Sequence, residues 1–501
     1  MKRKVVAYMT LIAMAASTMT ACGTASSSGG NGASAVSQSQ SEETADEVQS
    51  AASDTAQESN QAGTEDTETT TTSSAYPDLT GKTVSLMAWW SGGEQEAGKA
   101  KVEACEKELG CTINATYVPY DEYLSKLNTL AAAGQLPDVF ALPEGNVFDW
   151  GSQGMLMDLA PEYAAAGVDI DSTYVKPSIF RDSDQHVWAV GYDITTMFLY
   201  YNKDMFDAAG LEYPSNDVSN PITWDEFVKD AKALTKDSNG KTPNDEGFDY
   251  NNVVQYGTIM PTGWTAFLPL LHSNDAGILN EDGTALGFTG DAGVEVFQKI
   301  ADLSSVEQCA PTAATAKSSF SSTAPMVMNG QLGMLIDGGW AMSNYVNEGF
   351  DIGIAAVPMF KHPADIAWTC GFCVNPKTTD KEAAVAVHRW MTDFTHYIDA
   401  CESAGVALGG IPQTYSVYQN DAYLQKWAKL HSQAMVDAAT SILNADTTVL
   451  GDNVRVKNFP SIVDDTLIPQ LDKVWYGEMT AADAMSTMDD TCAKFVDGYW
   501  N

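Results

Sequence analysis

From Thr83 to Leu142 the chain switches between short apolar runs and apolar stripes at helical spacing. Thr83–Trp89 reads as a strand, and Glu94–Leu109 as a helix that Gly110 stops. Thr112–Val118 is a second strand. Asp121–Ala133 is a helix with Leu124, Leu127, Leu130 and Ala131 on one face, closed by Gly134, and Val139–Leu142 is a third strand. This β-α-β-α-β order predicts a parallel sheet with covering helices, hence an α/β fold. Further along, Thr223-x-x-Glu226 has the form of a capping box and marks a helix start. Lys381–Phe394 has helical periodicity, and Val387, Trp390, Met391, Phe394 and Ile398 form one apolar stripe assigned to the core.

In parallel α/β sheets, ligands bind outside the carboxyl ends of the strands. The residues just past the first and third strands are Trp89-Trp90-Ser91-Gly92-Gly93-Glu94 and Pro143-Glu144-Gly145-Asn146. Two adjacent tryptophans beside carboxylates and an amide suit a sugar ring. Its C–H face packs on an aromatic plane and its hydroxyls hydrogen-bond at the rim.

The N-terminus changes the picture of where this happens. Lys2, Arg3 and Lys4 precede an apolar run from Val5 to about Ala16, then Met19-Thr20-Ala21-Cys22-Gly23. The run is shorter than the ~20 residues a membrane span needs, so residues 1–21 read as a secretory signal. Cys22 sits where a bacterial lipobox places its lipidated cysteine, with Met19 where leucine is more usual. Residues 22–75 are rich in Ser, Thr, Ala, Gly, Gln and acid, and Gly23–Ser74 holds no Lys, Arg or aromatic residue. Such a segment cannot offset its ordering entropy by burial and is expected to be a disordered tether. Roughly 425 residues follow, too many for one core, so two lobes are expected.

A net charge of −39 argues against nucleic acid or anionic lipid as direct partners. Seven cysteines, Cys105, Cys111, Cys309, Cys370, Cys373, Cys401 and Cys492, follow Cys22. Whether Cys105 and Cys111 pair across their turn is open at this level. Cys370-Gly371-Phe372-Cys373 lacks a second pair for zinc and a helix start for redox work, and reads as buried thiols. Asp237-Ser238-Asn239-Gly240 followed by Asn244-Asp245-Glu246 has a degenerate calcium-loop form. Its glycine and its twelfth residue, Phe248, depart from the EF-hand pattern, and it reads as a solvated turn. No metal or cofactor is expected.

A family resemblance rests on motifs in order. Gly191-Tyr192-Asp193-Ile194-Thr195-Thr196 precedes Leu199-Tyr200-Tyr201-Asn202-Lys203-Asp204-Met205-Phe206, then Thr223-Trp224-Asp225-Glu226-Phe227. Leu335-Ile336-Asp337-Gly338-Gly339-Trp340-Ala341, Gly353–Pro358 and Gly409-Gly410-Ile411-Pro412 follow. Across residues 79–501 this resembles the extracellular solute-binding proteins that include maltose-binding protein. The resemblance implies a periplasmic-binding-protein-like fold: two α/β lobes joined by three hinge crossings, with the ligand cleft between them. It implies crossings near Asp193, near Val357 and at Gly405–Ile411. Lobe one would combine 79–193 with 358–405, and lobe two 194–357 with 411–501.

The resemblance further implies ligand contacts from Trp89, Trp90, Glu94, Glu144 and Asn146 on lobe one. Asp193 and Thr195 are implied at the hinge, with Trp264, Asp337, Trp340 and Trp368 completing the set. Trp340 resembles the family's stacking tryptophan. Asn453, Arg455, Asn458 and Phe459 stand where the family carries another aromatic contact, and match it poorly. The implied function is capture of a mono- or oligosaccharide by a monomer lipid-anchored to the outer face of the cell membrane. Delivery would be to the permease subunits of an ABC transporter. An exported glycoside hydrolase would need paired catalytic carboxylates in a recognisable setting, and none is found; no catalytic residue is assigned. A subunit presenting sugar to a membrane receptor is the other alternative.

Overall fold

The computed structural model describes residues 76–319, 323–444 and 448–500. The expected signal segment, Cys22 and the tether 22–75 lie outside the described residues. The body begins with β1 (Thr83–Ala88), α1 (Gly92–Leu109), β2 (Thr112–Tyr117), α2 (Tyr120–Ala132) and β3 (Val139–Leu142). Gly110, at φ 73°, ends α1 by donating its N–H to the Glu106 carbonyl. β1 is parallel to both β2 and β3, so each helix crosses over the sheet and covers it.

Two larger sheets hold the other strands, apart from a two-stranded ribbon that pairs Lys236–Asp237 with Val253–Gln255. The first runs β2-β1-β3-β10-β5-β4, where β4 is Ile179–Arg181, β5 Val187–Gly191 and β10 Gly371–Val374. The second is built around β6 (Thr195–Asn202), whose eight residues are all buried. It pairs antiparallel with β7 (Met334–Gly338), β8 (Ile352–Ala355) and β9 (Asp365–Trp368), and β9 pairs in turn with β11 (Thr448–Leu450). A strand buried on both faces reads as one apolar run, as Thr195–Asn202 largely does.

The chain passes between sheets at Tyr192–Ile194, between β5 and β6. It returns at Thr369–Cys370, between β9 and β10. The expected crossing near Val357 is therefore displaced. Asp365–Trp368 is held by ladder hydrogen bonds to β6 and β11, so residues 358–368 stay with the second sheet. A third segment, residues 405–411, runs beside the first: Ile194 and Ile411 exchange N–H···O bonds of 2.8 and 3.1 Å.

Past the second crossing, the expected single helix is two: α3 (Lys381–Thr392) and α4 (Phe394–Ala404). Asp393 divides them, its carboxylate accepting the Thr395 N–H as the cap of α4. The apolar stripe survives the break, with Val387, Trp390, Met391, Phe394 and Ile398 all buried. The Thr223–Glu226 capping box is formed reciprocally at the start of its helix.

Candidate functional site

The carboxyl ends of β1 and β3 open onto a cavity of about 410 Å³ that reaches all three connecting segments. From the first lobe it receives Trp89 and Ser91 just past β1, Glu94 in the first turn of α1, Tyr120 at the start of α2, and Glu144 just past β3. The connecting segments supply Tyr192, Asp193, Cys370 and Gly410. The opposite wall is Thr195 at the start of β6, Trp368 at the end of β9, Trp340 just past β7, and Trp264 and Thr265, which open a helix at Trp264–Ser273.

Three tryptophans make the second-lobe wall continuous. The Trp368 ring lies 5.9 Å from that of Trp264 and 6.3 Å, edge to face, from that of Trp340. Phe459 supports Trp264 from behind at 5.1 Å. Trp340 is 39 % exposed, which excludes a core role for it. The preceding Gly338 lets the ring fold back, because a Cβ there would occupy the indole's position. Asp337 does not line the cavity. Its carboxylate accepts the Gly338 N–H at 2.7 Å and faces the Trp340 indole, so it positions the ring. Burial raises this carboxyl to about 6.

Across the cavity, Trp89 stands edge-on to Tyr120 and Tyr123 at 5.6 and 4.9 Å. Trp90 points the other way, lying over Gly98 of α1 and packing on Tyr192. It is buried in the first lobe and touches only a small side pocket behind the cavity.

The polar groups are mostly acceptors. Burial raises Glu94 to about 7. Asp193 is held well above the usual carboxylate range by burial and by Glu94, with Lys101 opposing. Both expose part of their surface, but what they expose is the wall of the cavity. Gly410, at φ 81°, makes room for the Asp193 carboxylate, which any Cβ there would displace. Glu144 differs in having partners. Its Oε1 accepts a 2.6 Å hydrogen bond from Asn453 Nδ2 and its Oε2 faces the Cys370 thiol at 3.5 Å.

Asn453 belongs to the second lobe. The neighbouring Gly451 N–H bonds the Ala367 carbonyl, and Asp452 accepts the Ile278 N–H. The Glu144–Asn453 bond is thus a latch between lobes at the edge of the cavity. Asn453→Ala leaves a buried carboxylate short of a partner only in the closed arrangement, a cost of about 1 kcal/mol or more. Ligand affinity is expected to fall about fivefold, with a larger radius of gyration at subsaturating ligand. Unchanged affinity by calorimetry would remove the latch.

The structure places Trp89, Glu94, Glu144, Asp193, Thr195, Trp264, Trp340 and Trp368 around one cavity. Trp90, Asn146 and Asp337 fall outside its lining. Asn146 closes the short turn after Glu144, its N–H bonded to the Pro143 carbonyl. Tyr120 was missed although it follows β2, a strand end that the rule applied to β1 and β3 covers equally. Ser91 and Thr265 adjoin expected residues, Gly410 lies in the Gly409–Pro412 motif and Asn453 in the C-terminal segment that the resemblance marks, whereas Cys370 carries no signal for the cavity. Asp237 has a structural part to play: its carboxylate accepts the backbone N–H groups of Asn239, Lys241 and Asp249.

A cavity fed by strand ends of two lobes, with three connecting segments beside it, agrees with the sequence family. The profile of the bacterial extracellular solute-binding proteins matches residues 89–393. The chain belongs to this family. Solved structures of similar solute-binding proteins superpose on most of it. An ABC substrate-binding protein of Listeria monocytogenes in complex with cycloalternan is 24 % identical, with a TM-score of 0.68 over 82 % of this chain and 98 % of that one. The maltose/maltodextrin-binding domain MalE of Bdellovibrio bacteriovorus, bound to maltotriose, is 20 % identical, with a TM-score of 0.64 over 82 % and 99 %. The fold is periplasmic-binding-protein-like.

Among curated solute-binding proteins, the maltodextrin-binding protein MdxE of Bacillus subtilis is 24 % identical over 57 % of this chain and 63 % of its own length. The sn-glycerol-3-phosphate-binding protein UgpB of Brucella abortus is 26 % identical over 55 % and 62 %. A binding protein of Brucella abortus is 29 % identical over 30 % of this chain, and the match spans only 36 % of that relative's length.

Proposed function

We propose that this solute-binding protein captures a carbohydrate, a mono- or oligosaccharide, between its lobes and hands it to the membrane subunits of an ABC transporter. In this reading a lipid on Cys22 anchors it to the outer face of the cell membrane, and the 22–75 segment tethers it. The observation that carries the carbohydrate class is the cavity wall, where Trp264, Trp340 and Trp368 face Trp89 and Tyr120 with carboxylates between them. Aromatic planes take the C–H faces of pyranose rings and carboxylates take their hydroxyl protons. The neighbours bound to cycloalternan and maltotriose support it. A phosphate ester such as the UgpB ligand fits poorly, because no Lys, Arg or His lines the cavity among the described residues.

The test is a thermal-shift and calorimetric screen of the protein against neutral, amino and acidic mono- and oligosaccharides. One sugar class is expected to raise the melting temperature in a concentration-dependent way, since a ligand that binds only the native state stabilises it. No shift across the whole panel would overturn the reading. The same ligand should be recovered intact after prolonged incubation, and cleavage products would identify a hydrolase instead.

A further inference from the structure

A buried lysine stands behind the cavity, on the face of α1 that carries Glu94. Glu94, Gly98 and Lys101 recur at helical spacing and share that face. Lys101 is 1 % exposed, and its ammonium has no hydrogen bond or ion pair among the described residues. Its Nζ lies over the Tyr397 ring at 4.3 Å, with the Tyr192 ring at 6.0 Å. Ring faces attract an ammonium but leave its charge uncancelled, so burial there is costly. Lys101, Glu94 and Asp193 all line a side pocket of about 10 Å³. That is room for about one water and for no sugar ring, so Lys101 stays out of ligand contact. Glu94 and Asp193 also line the main cavity, and so form the partition between the ligand's space and the lysine's.

The lysine acts on what lies across that pocket. Asp193 is faced by Glu94 and Lys101 of α1, by Tyr192 beside it, by Cys370 of the second crossing and by Tyr397 of α4. Burial pushes Tyr192, Cys370 and Tyr397 well above their usual values, so these three are neutral. Lys101 in turn faces Asp393, the cap of α4, and two thiols, Cys105 and Cys401, that burial also raises. Two groups therefore decide the state of Asp193. Glu94 adds to the burial that holds its proton on, and Lys101 alone opposes it. Burial lowers Lys101 to about 8, which leaves it largely protonated at neutral pH.

We propose that Lys101 is a positioning residue for sugar capture: across the side pocket its ammonium favours the carboxylate form of Asp193, the stronger acceptor for a sugar hydroxyl. This deepens the carbohydrate reading and rests on it. A hydrogen bond to a charged acceptor is roughly twice as strong as one to a neutral acceptor. Asp193 gains that charge only against burial and against Glu94, and the field that helps it comes from a residue outside the ligand's reach.

The experiment follows the Asp193 carboxyl itself, by carbon-13 NMR of the ligand-free protein labelled at its aspartate side chains and titrated with pH. Asp193→Asn identifies the signal. Lys101→Met keeps the shape of the side chain and Lys101→Gln keeps a polar end, and both lose the charge. Replacing a buried charge by a neutral residue of similar volume commonly leaves a protein as stable or more so, and each variant is checked for native melting. Both should raise the Asp193 midpoint by about one pH unit or more. Calorimetry with maltotriose and the neutral sugars of the wider screen reads the consequence. Affinity should rise with pH in the wild type and rise later in both variants, leaving them about fivefold weaker between the two midpoints. An unmoved midpoint overturns the proposal, and so does a shift in only one variant, which packing rather than charge would cause. Midpoints that move while a bound sugar's affinity profile stays put overturn the role in capture. Failure of every sugar to bind overturns the parent reading, whereas a failure in the carboxyl titration, which needs no sugar, counts against Lys101 alone.

Discussion

Trp340→Ala is expected to weaken binding of the captured sugar by about 30-fold or more, equivalent to about 2 kcal/mol, while leaving the folded protein nearly as stable as before. The asymmetry follows from where the ring sits. At 39 % exposed it gives the core little, yet it is braced on Trp368, given space by Gly338 and held by Asp337. A ring held rigidly before binding loses little entropy when the ligand arrives, so most of its contact area counts toward affinity. Trp368 is a poorer probe: at 3 % exposed and packed against both neighbours, its removal would disturb folding and binding together. The measurement is paired calorimetry and denaturant unfolding on wild type and Trp340→Ala. Retained affinity with a clear loss of unfolding free energy would make the ring a structural element and move the stacking surface elsewhere.

How much of this was legible beforehand depended on the range over which each signal acts. The β1–β3 alternation is local: apolar runs, helical stripes and Gly110 each act within a few residues, and the structure reproduces them nearly residue for residue. Trp340 is presented by its own neighbours, since Gly338 leaves room for the ring and Asp337 faces its indole. Trp90 turns away from the cavity because adjacent residues at a strand end point to opposite sides, and no local feature of the sequence says which one meets it. Gly98, eight residues on, decides it by offering the flat surface that Trp90 covers.

The latch partners Glu144 and Asn453 stand 309 residues apart in the chain, beyond any periodicity. Cys370 reaches the cavity because β9 ends two residues earlier and the chain must cross there. The resemblance implies that crossing near Val357, eleven residues before the end of β9. The short strand that follows, Asp365–Trp368, is fixed only by its partners β6 and β11.

That same strand carries the second large effect. Asp365→Asn is expected to stabilise the ligand-free protein at pH 8 by about 4 kcal/mol and to leave it nearly unchanged at pH 4. Asp365 is buried, and its carboxyl is raised to about 7 by that burial. Its Oδ1 accepts the Thr196 hydroxyl at 2.8 Å and the Ile366 N–H at 2.8 Å, too little to offset the loss of water around a charge. Between the ordinary aspartate value near 4 and about 7, the folded chain binds a proton that the unfolded chain has released. Stability must therefore fall as pH rises through that window and level off above it. An asparagine keeps the carbonyl oxygen that takes both hydrogen bonds and has no charge to bury, so its advantage should grow with pH and then plateau. Glu94, Asp193 and Asp337 slope the same way in both proteins, and the difference between the two unfolding curves isolates Asp365. Chemical denaturation at pH 4, 6 and 8 reads it directly. A stability difference that is the same at all three would mean the carboxyl is solvated in the native state.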